Sequence, residues 1–409
     1  MKMNSFVVPS WKQLAVWQRR LLVVVVCLLL AAGGLGARAM RTLPGLAPVT
    51  TLASATAQPT PYKPAMQWSP YGEQAVTVVG SSTLSANSGK NDKFPVASIA
   101  KVMTALVILQ DKPLKPGEQG PTLTFSDADV AVYTNELAQN QSVVEVRSGE
   151  QMTEYQALEA MLVPSATNVA DSAALWAFGS MDAYTAKANA YAASLGMNDS
   201  HFGGDASGFS PESVSTPQDL IKLGSAAMQN PVVAEIVGKK SVDLPVAGTL
   251  ANFNIDLGLG GINGIKTGNT DQAGGAFLFS APYGDRLIVG AMMNAPNLGT
   301  ALHDSVEVLH AFKTTLHIET LVKNNQQVGE YHLPWGGSVS AVAASPISLL
   351  EGQGVSVPVH ISLKPIQPNA RAGQIVGTAS VEYEGKTLQT NIQLEKSIPP
   401  PSLWWRITH

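Results

Sequence analysis

Ser98, Ile99, Ala100 and Lys101 stand just after Pro95, at the head of a run that is apolar on nearly every side. On a helix, a separation of three puts the Ser98 hydroxyl and the Lys101 amine on one face, within reach of each other. A serine hydroxyl is a weak nucleophile until a base takes its proton, and a desolvated, neutral lysine can be that base. The helix N-terminus adds partial positive charge where an oxyanion would form. Alone the pattern says little, because a chain this long holds about one Ser-x-x-Lys by chance. A second segment, Pro164-Ser165-Ala166-Thr167-Asn168, lies between two helical patterns, where a serine ordinarily caps a helix. A third, Lys266-Thr267-Gly268, precedes an apolar strand pattern. A Lys-Thr pair on a strand edge can clamp a carboxylate, and the glycine lets a substrate approach the backbone. A phosphate loop is excluded there, because Gly261-Ile262-Asn263-Gly264-Ile265-Lys266-Thr267 lacks a glycine directly before the lysine.

Periodicity supplies the elements that carry these segments. Residues 74–80 read as a strand, and 97–110 as a helix buried in the middle of a domain. Helical patterns follow at 153–162, 168–178, 181–195 and 216–228, the last opening on Thr216-Pro217. Residues 276–280 and 287–293 read as adjacent buried strands. An antiparallel sheet with a helical cluster predicts an α+β domain. Beyond about residue 318 the texture changes: Val355, Val357, Val359, Ile361 and Leu363 alternate with period two. The stretches 375–383 and 388–394 do the same around a tight Glu384-Gly385 turn. A small all-β domain is expected at 318–396, followed by a tail, 397–409.

The N-terminus sets the compartment. Leu21 to Gly36 carries no charge and is preceded by Lys2, Lys12, Arg19 and Arg20. That basic segment, 1–20, predicts an N-terminus inside and the remainder outside the cytoplasm. Residues 21–39 read as a signal peptide or a transmembrane anchor, with Ala37-Arg38-Ala39 as a small-x-small cleavage pattern. The sole cysteine, Cys27, lies inside the apolar run, so the exported part can form no disulfide. Residues 40–67 hold five prolines and no acid, which predicts an extended linker. With 45% hydrophobic and 14% charged residues the chain is no disordered polyelectrolyte. Five of the 26 Lys/Arg and none of the 30 Asp/Glu precede residue 40, so the body carries nine more acids than bases. A body that acidic excludes nucleic acid as a natural partner.

Taken in order, the three chemical segments resemble the motifs of the penicillin-binding proteins and serine β-lactamases. More narrowly, the chain looks like the low-molecular-mass D-alanyl-D-alanine carboxypeptidases. The phrasing around each motif carries that likeness: Phe94-Pro95-Val96-Ala97-Ser98-Ile99-Ala100-Lys101-Val102-Met103-Thr104, and Gly264-Ile265-Lys266-Thr267-Gly268-Asn269-Thr270 followed by Ala273-Gly274. The resemblance implies a β-lactamase-like catalytic domain over 68–317, a trailing β domain and an extracytoplasmic enzyme of the cell envelope, secreted if cleaved after Ala39. It implies that Ser98 attacks the carbonyl between the two D-alanines of a peptidoglycan stem peptide, and that Lys101 accepts the serine proton. Ser165 would pass a proton to the leaving amine. Lys266 and Thr267 would hold the terminal carboxylate, with Gly268 beside them, and Lys266 would keep Lys101 neutral by like-charge repulsion. Backbone amides of Ser98 and Asn269 would form the oxyanion hole. No metal or organic cofactor is called for, and β-lactams are expected as inhibitors.

One position departs from the family. Two residues after the second serine the family has asparagine, whereas this chain has Thr167, with Asn168 one place later. Either Thr167 takes the position with help from a water, or Asn168 reaches in through a shifted loop, or activity is impaired; the expectation is that Thr167 occupies it and the enzyme works. Three rivals share the cleft. A β-lactamase of class A would need a Glu-x-x-Leu-Asn segment between Ser165 and Lys266, and none occurs. A transpeptidase would pass the same acyl-enzyme to an amine, and a wall-binding homologue would have lost turnover through the Thr167 change. Elsewhere, His303, His310 and His317 recur on a presumed helix as a solvated stripe without metal spacing. Asp205 and Asp271 read as loop caps. Trp404-Trp405-Arg406 suits either a membrane-interface anchor or an unstructured tail.

Overall fold

Along the strand Gly274–Tyr283 successive side chains enter two different cores: Ala276 and Leu278 face one way, Phe277 and Phe279 the other. That strand lies in a five-stranded antiparallel sheet ordered Gly264–Thr270, Gly274–Tyr283, Arg286–Ala295, Glu73–Val78, Ser85–Asn87. The protein is seen here in a computed structural model that describes residues 15–52, 66–81, 83–284, 286–352 and 357–409. It divides into two units, Thr60–His317 with Leu350–Val355, and Met1–Pro59 with Ile318–Leu349 and Ser356–His409.

In the first unit, one face of the sheet packs against a cluster of helices that includes Ala100–Asp111, Glu154–Leu162, Thr167–Phe178, Met181–Ser194, Pro217–Gln229 and Pro231–Val237. The other face is covered by Leu298–Thr315 through Ala301, Leu302, Leu309 and Phe312. The architecture is α+β. Every residue from Ala100 to Leu109 is buried, so this helix has no solvent face and sits at the centre of the cluster. Each buried Val, Leu, Ile or Met side chain along it contributes about 1.5–3 kcal/mol. Thr216 caps the helix it opens, as the Thr216-Pro217 start suggested, and Thr153 caps Glu154–Leu162. The helix Asp127–Ala138 was not expected: its only buried residue is Glu136, so it has no apolar stripe, and Ser126 with Asp129 forms its capping box.

The second unit holds a six-stranded antiparallel sheet ordered Pro48–Thr50, Gln327–His332, Ser338–Ala343, Lys386–Leu394, Ile375–Tyr383, His360–Leu363. Tyr383 pairs with Lys386, so Glu384 (φ 50°) and Gly385 (φ 72°) form the two-residue turn that the alternation implied. Three expectations need correction. The presumed linker 40–67 supplies an edge strand, whose first residue, Pro48, needs no ladder donor there. Of the alternating stretch 355–363 only His360–Leu363 is a strand, and 353–356 lie outside the described residues. The tail ends in a helix, Leu403–Thr408, capped by Ser402. In the first unit the helix carrying His303 and His310 stops at Thr315, so His317 falls on the following strand.

Candidate active site

The chain enters the central helix through a short 3-10 turn, Ala97–Ile99, which sets Ser98 at its mouth. Ala97 has φ 47°, a left-handed conformation that costs a residue with a Cβ about 1–3 kcal/mol and persists only where its surroundings enforce it. Two close approaches enforce it. The Gly208 backbone lies so near the Ala97 carbonyl that a Cβ at Gly208 would collide with it. A Cβ on Gly268 would stand 3.1 Å from the Val96 oxygen and 3.4 Å from the Ser98 nitrogen. The edge strand Gly264–Thr270 therefore runs hard against the turn that holds Ser98, and a side chain at 268 would press on that turn.

Lys101 lies one helical turn on, and its Nζ is 2.9 Å from Ser98 Oγ and 3.1 Å from the Ser207 carbonyl oxygen. Its side chain is 1% exposed. Burial lowers its pKa to about 8, against the opposing pull of Asp205, Asp171 and Glu136. Lys266 is 2% exposed and donates to the Thr267 carbonyl at 3.2 Å. Burial first, and the charge of Lys101 second, hold it well below the ordinary lysine range. Desolvation, rather than repulsion from Lys266, is thus the main force on Lys101.

A cavity of about 380 Å³ opens beside these groups, lined by Ser98, Lys101, Thr167 and Asn269 together with Gln141 and Phe209. Ser165, Lys266 and Thr267 are not among its lining residues, and none is more than 4% exposed. Ser165 has φ 63°, the second left-handed non-glycine in the motif segments. Thr167 faces the cavity while its hydroxyl donates to the Ser142 carbonyl at 2.6 Å, leaving its oxygen lone pairs as acceptors. Asn168 is fully buried, accepting from the Val144 amide at 3.0 Å and donating to the Val144 carbonyl at 2.8 Å. Both ends of its amide are spent on the chain opposite, and it does not line the cavity. Sequence reasoning missed the wall formed by Gln139, Asn140, Gln141 and Ser142. Its signal was a run of four uncharged polar residues, but such a run reads equally well as a solvated loop.

Several comparisons bear on this arrangement. The family model described as D-alanyl-D-alanine carboxypeptidase matches residues 78–297. The D-alanyl-D-alanine carboxypeptidase DacB2 of Mycobacterium tuberculosis is 34% identical over 244 residues, covering 58% of this chain and 76% of that protein. DacC of Escherichia coli, of the same description, is 23% identical over 74% of this chain and 78% of its own length. Among solved structures, penicillin binding protein 5 from Haemophilus influenzae superimposes with a TM-score of 0.58 at 18% identity, over 83% of this chain and 99% of that one. The Streptomyces K15 DD-transpeptidase gives 0.54 at 22% identity over 62% and 99%. These two structural likenesses speak for the fold.

The bonding of Asn168 generates a stability prediction. Asn168→Ala strips partners from the Val144 amide and carbonyl, each costing about 1–3 kcal/mol if left buried and unpaired. Urea unfolding should show a clear loss of stability, on the order of 2 kcal/mol or more. An unchanged midpoint would mean that Asn168 is free to serve the cavity instead.

Proposed function

The chain belongs to the D-alanyl-D-alanine carboxypeptidase family, and we propose that its own residues release the terminal D-alanine of peptidoglycan stem peptides through an acyl-enzyme on Ser98. The observation that carries this reading is the 2.9 Å contact between the buried Lys101 amine and Ser98 Oγ at the cavity wall. A neutral Lys101 takes the serine proton as Oγ attacks the carbonyl carbon between the two D-alanines. Negative charge gathers on the carbonyl oxygen, where the backbone amides of Ser98 and Asn269 serve as donors. Collapse breaks the peptide bond, the leaving nitrogen takes a proton by way of Ser165, and free D-alanine departs. Water then hydrolyses the Ser98 ester and restores the hydroxyl. Thr167 stands where the family has asparagine and offers its oxygen as an acceptor to the peptide.

Lys266 and Thr267 bind the terminal carboxylate, with Gly268 giving the backbone room. Because burial disfavours the Lys266 ammonium, an incoming carboxylate both pairs with it and restores its charge. That new charge then disfavours the ammonium form of Lys101. Substrate binding thereby biases Lys101 toward the free amine the reaction needs. β-Lactams carry a carboxylate and a reactive carbonyl and enter by the same route.

The helix Val16–Ala39 is 24 residues long, about 36 Å at 1.5 Å per residue, which is enough to cross a bilayer's hydrocarbon core. Its residues are exposed along its length, including Leu21 to Leu30. The basic flank favours a cytoplasmic N-terminus and an enzyme facing the cell wall. The C-terminal helix meets the far end of this span: Arg406 donates to the Ala39 carbonyl at 3.0 Å, with Leu403 and Trp404 exposed beside it. Trp404 and Trp405 there suit the membrane interface. An uncleaved anchor keeps the full-length protein in the membrane fraction through a high-salt wash. Recovery of a soluble form beginning after Ala39 would show a cleaved signal instead.

Two further outcomes test the reaction. Purified enzyme should release D-alanine from a diacyl-Lys-D-Ala-D-Ala peptide, and Ser98→Ala should release none; equal release by both would remove Ser98 from the chemistry. Since the folded pKa of Lys101 is depressed to about 8, its amine is the minor form below that pH. Acylation by a fluorescent penicillin should therefore climb about tenfold per pH unit below that value and level off above it. A rate that falls with rising pH would contradict Lys101 as base.

A further inference from the structure

Lys101 has a second hydrogen-bond partner, and the loop carrying it is built with unusual care. Ser207 lies in the stretch 203–213, and its carbonyl accepts from Lys101 Nζ at 3.1 Å. The Asp205 carboxylate folds back over this loop. One oxygen accepts from the Ser207 amide at 2.9 Å, the Ser207 hydroxyl at 3.1 Å and the Gly208 amide at 2.5 Å. The other accepts from the Ser210 amide at 2.6 Å. Asp171, on the helix Thr167–Phe178, accepts from the Ala206 amide at 2.9 Å. Thr104, on the central helix, donates to the Ala206 carbonyl at 2.6 Å. The loop is thus tied from within by Asp205 and from two helices by Asp171 and Thr104. Gly208 presses against the carbonyl that precedes Ser98.

We infer that Asp205 and Asp171 are positioning residues for the general base, holding the Ser207 carbonyl so that the Lys101 lone pair points at Ser98. A neutral amine has two N–H donors and one lone pair, and rotation about its last carbon–nitrogen bond exchanges them. A fixed acceptor on the side away from Ser98 engages an N–H and leaves the lone pair facing the serine proton. Without that acceptor the amine is still close to Ser98, but it is correctly oriented only part of the time. Orientation lost at a reacting atom can cost up to about a hundredfold in rate. The inference rests on the reading of Lys101 as base.

The same carboxylates also act on Lys101 by charge. The charged groups facing its amine are Asp205 from the loop, Asp171 from the Thr167–Phe178 helix, Glu136 from the Asp127–Ala138 helix and Lys266 from the edge strand. Glu136 is buried, with one carboxylate oxygen unpartnered, and burial raises its pKa to about 8. Asp171 is raised to about 7, chiefly by burial and then by Asp205. Over the pH range in which Lys101 titrates, Asp171 is mostly ionised and favours the ammonium form. Position and charge therefore make opposite contributions, and two substitutions separate them.

The test is the rate constant for Ser98 acylation by a fluorescent penicillin, measured against penicillin concentration and pH for full-length protein. Asp205→Ala removes all four acceptor contacts; its acylation rate at saturation should fall on the order of 10–100-fold, with the concentration for half-saturation little changed. Asp171→Asn keeps an oxygen for the Ala206 amide and loses the charge. The midpoint of its pH profile should move down by about one unit, and its saturated rate should fall less than that of Asp205→Ala. Circular dichroism and thermal melting identify any Asp205→Ala sample that has not folded, in which case Asp171→Ala, which takes the acceptor from the Ala206 amide, replaces it and should also lower the saturated rate. A parental saturated rate in a folded variant that has lost these contacts would overturn the inference, whatever its pH midpoint. Labelling that survives in Ser98→Ala would instead overturn the reading of the nucleophile.

Discussion

Burying an amine is the constraint on which the site depends. Lys101 points into a helical cluster closed to solvent, and its charge would be costly there. The protein meets that cost by lowering the amine's affinity for a proton rather than by giving it an ion pair: no carboxylate makes a salt bridge with it among the described residues, and its two close partners are a hydroxyl and a carbonyl. A salt bridge would fix the ammonium form and end its use as a base. The acids around it act at longer range, which tempers the desolvation without reversing it. Lys266 is buried under the same constraint, and on the proposed reading a substrate carboxylate would pair with it.

The surrounding fold follows from keeping this amine dry and next to a serine that is not. The 3-10 turn places Ser98 at the rim, while the α-helix that continues from it carries Lys101 inward. The left-handed Ala97 redirects the chain just before Ser98, and two glycines, 208 and 268, let a loop and a strand close on it from both sides. The sheet gives the edge strand its rigidity: Gly264 to Thr270 pairs residue by residue with Gly274 to Ser280, whose alternate side chains fill two cores. Strain near the nucleophile is therefore supported by packing well away from it.

How much of this could be read from the residues differs by element. Ser98 and Lys101 are three apart on one helix, so their proximity is a local consequence of helical geometry. The hairpin at Glu384-Gly385 is local too, and its turn chemistry shows in the sequence. Thr167 against Asn168 was undecidable from spacing. Burial separates them, because Asn168 spends both ends of its amide on Val144, a residue 24 positions away. The strand Pro48–Thr50 was hidden for a similar reason: its partner, Gln327–His332, lies some 280 residues on, and three residues carry no period. The helix Asp127–Ala138 lacked a stripe because its buried residue is the acid Glu136. The role of Asp205 reached the sequence only as a loop cap; that its loop touches Lys101 depends on the tertiary fold.

Burial lowers the Lys101 pKa to about 8, so that a reactive fraction of free amine exists near neutral pH. Protein carrying lysine labelled with carbon-13 at Cε, with the Lys101 resonance assigned by its absence in Lys101→Arg, allows that ionisation to be followed directly by NMR. The expected result is a titration near pH 8, well below the ordinary lysine value of about 10.4. A Lys101 resonance that titrates near that ordinary value would contradict it, since almost no free amine would then exist near neutral pH.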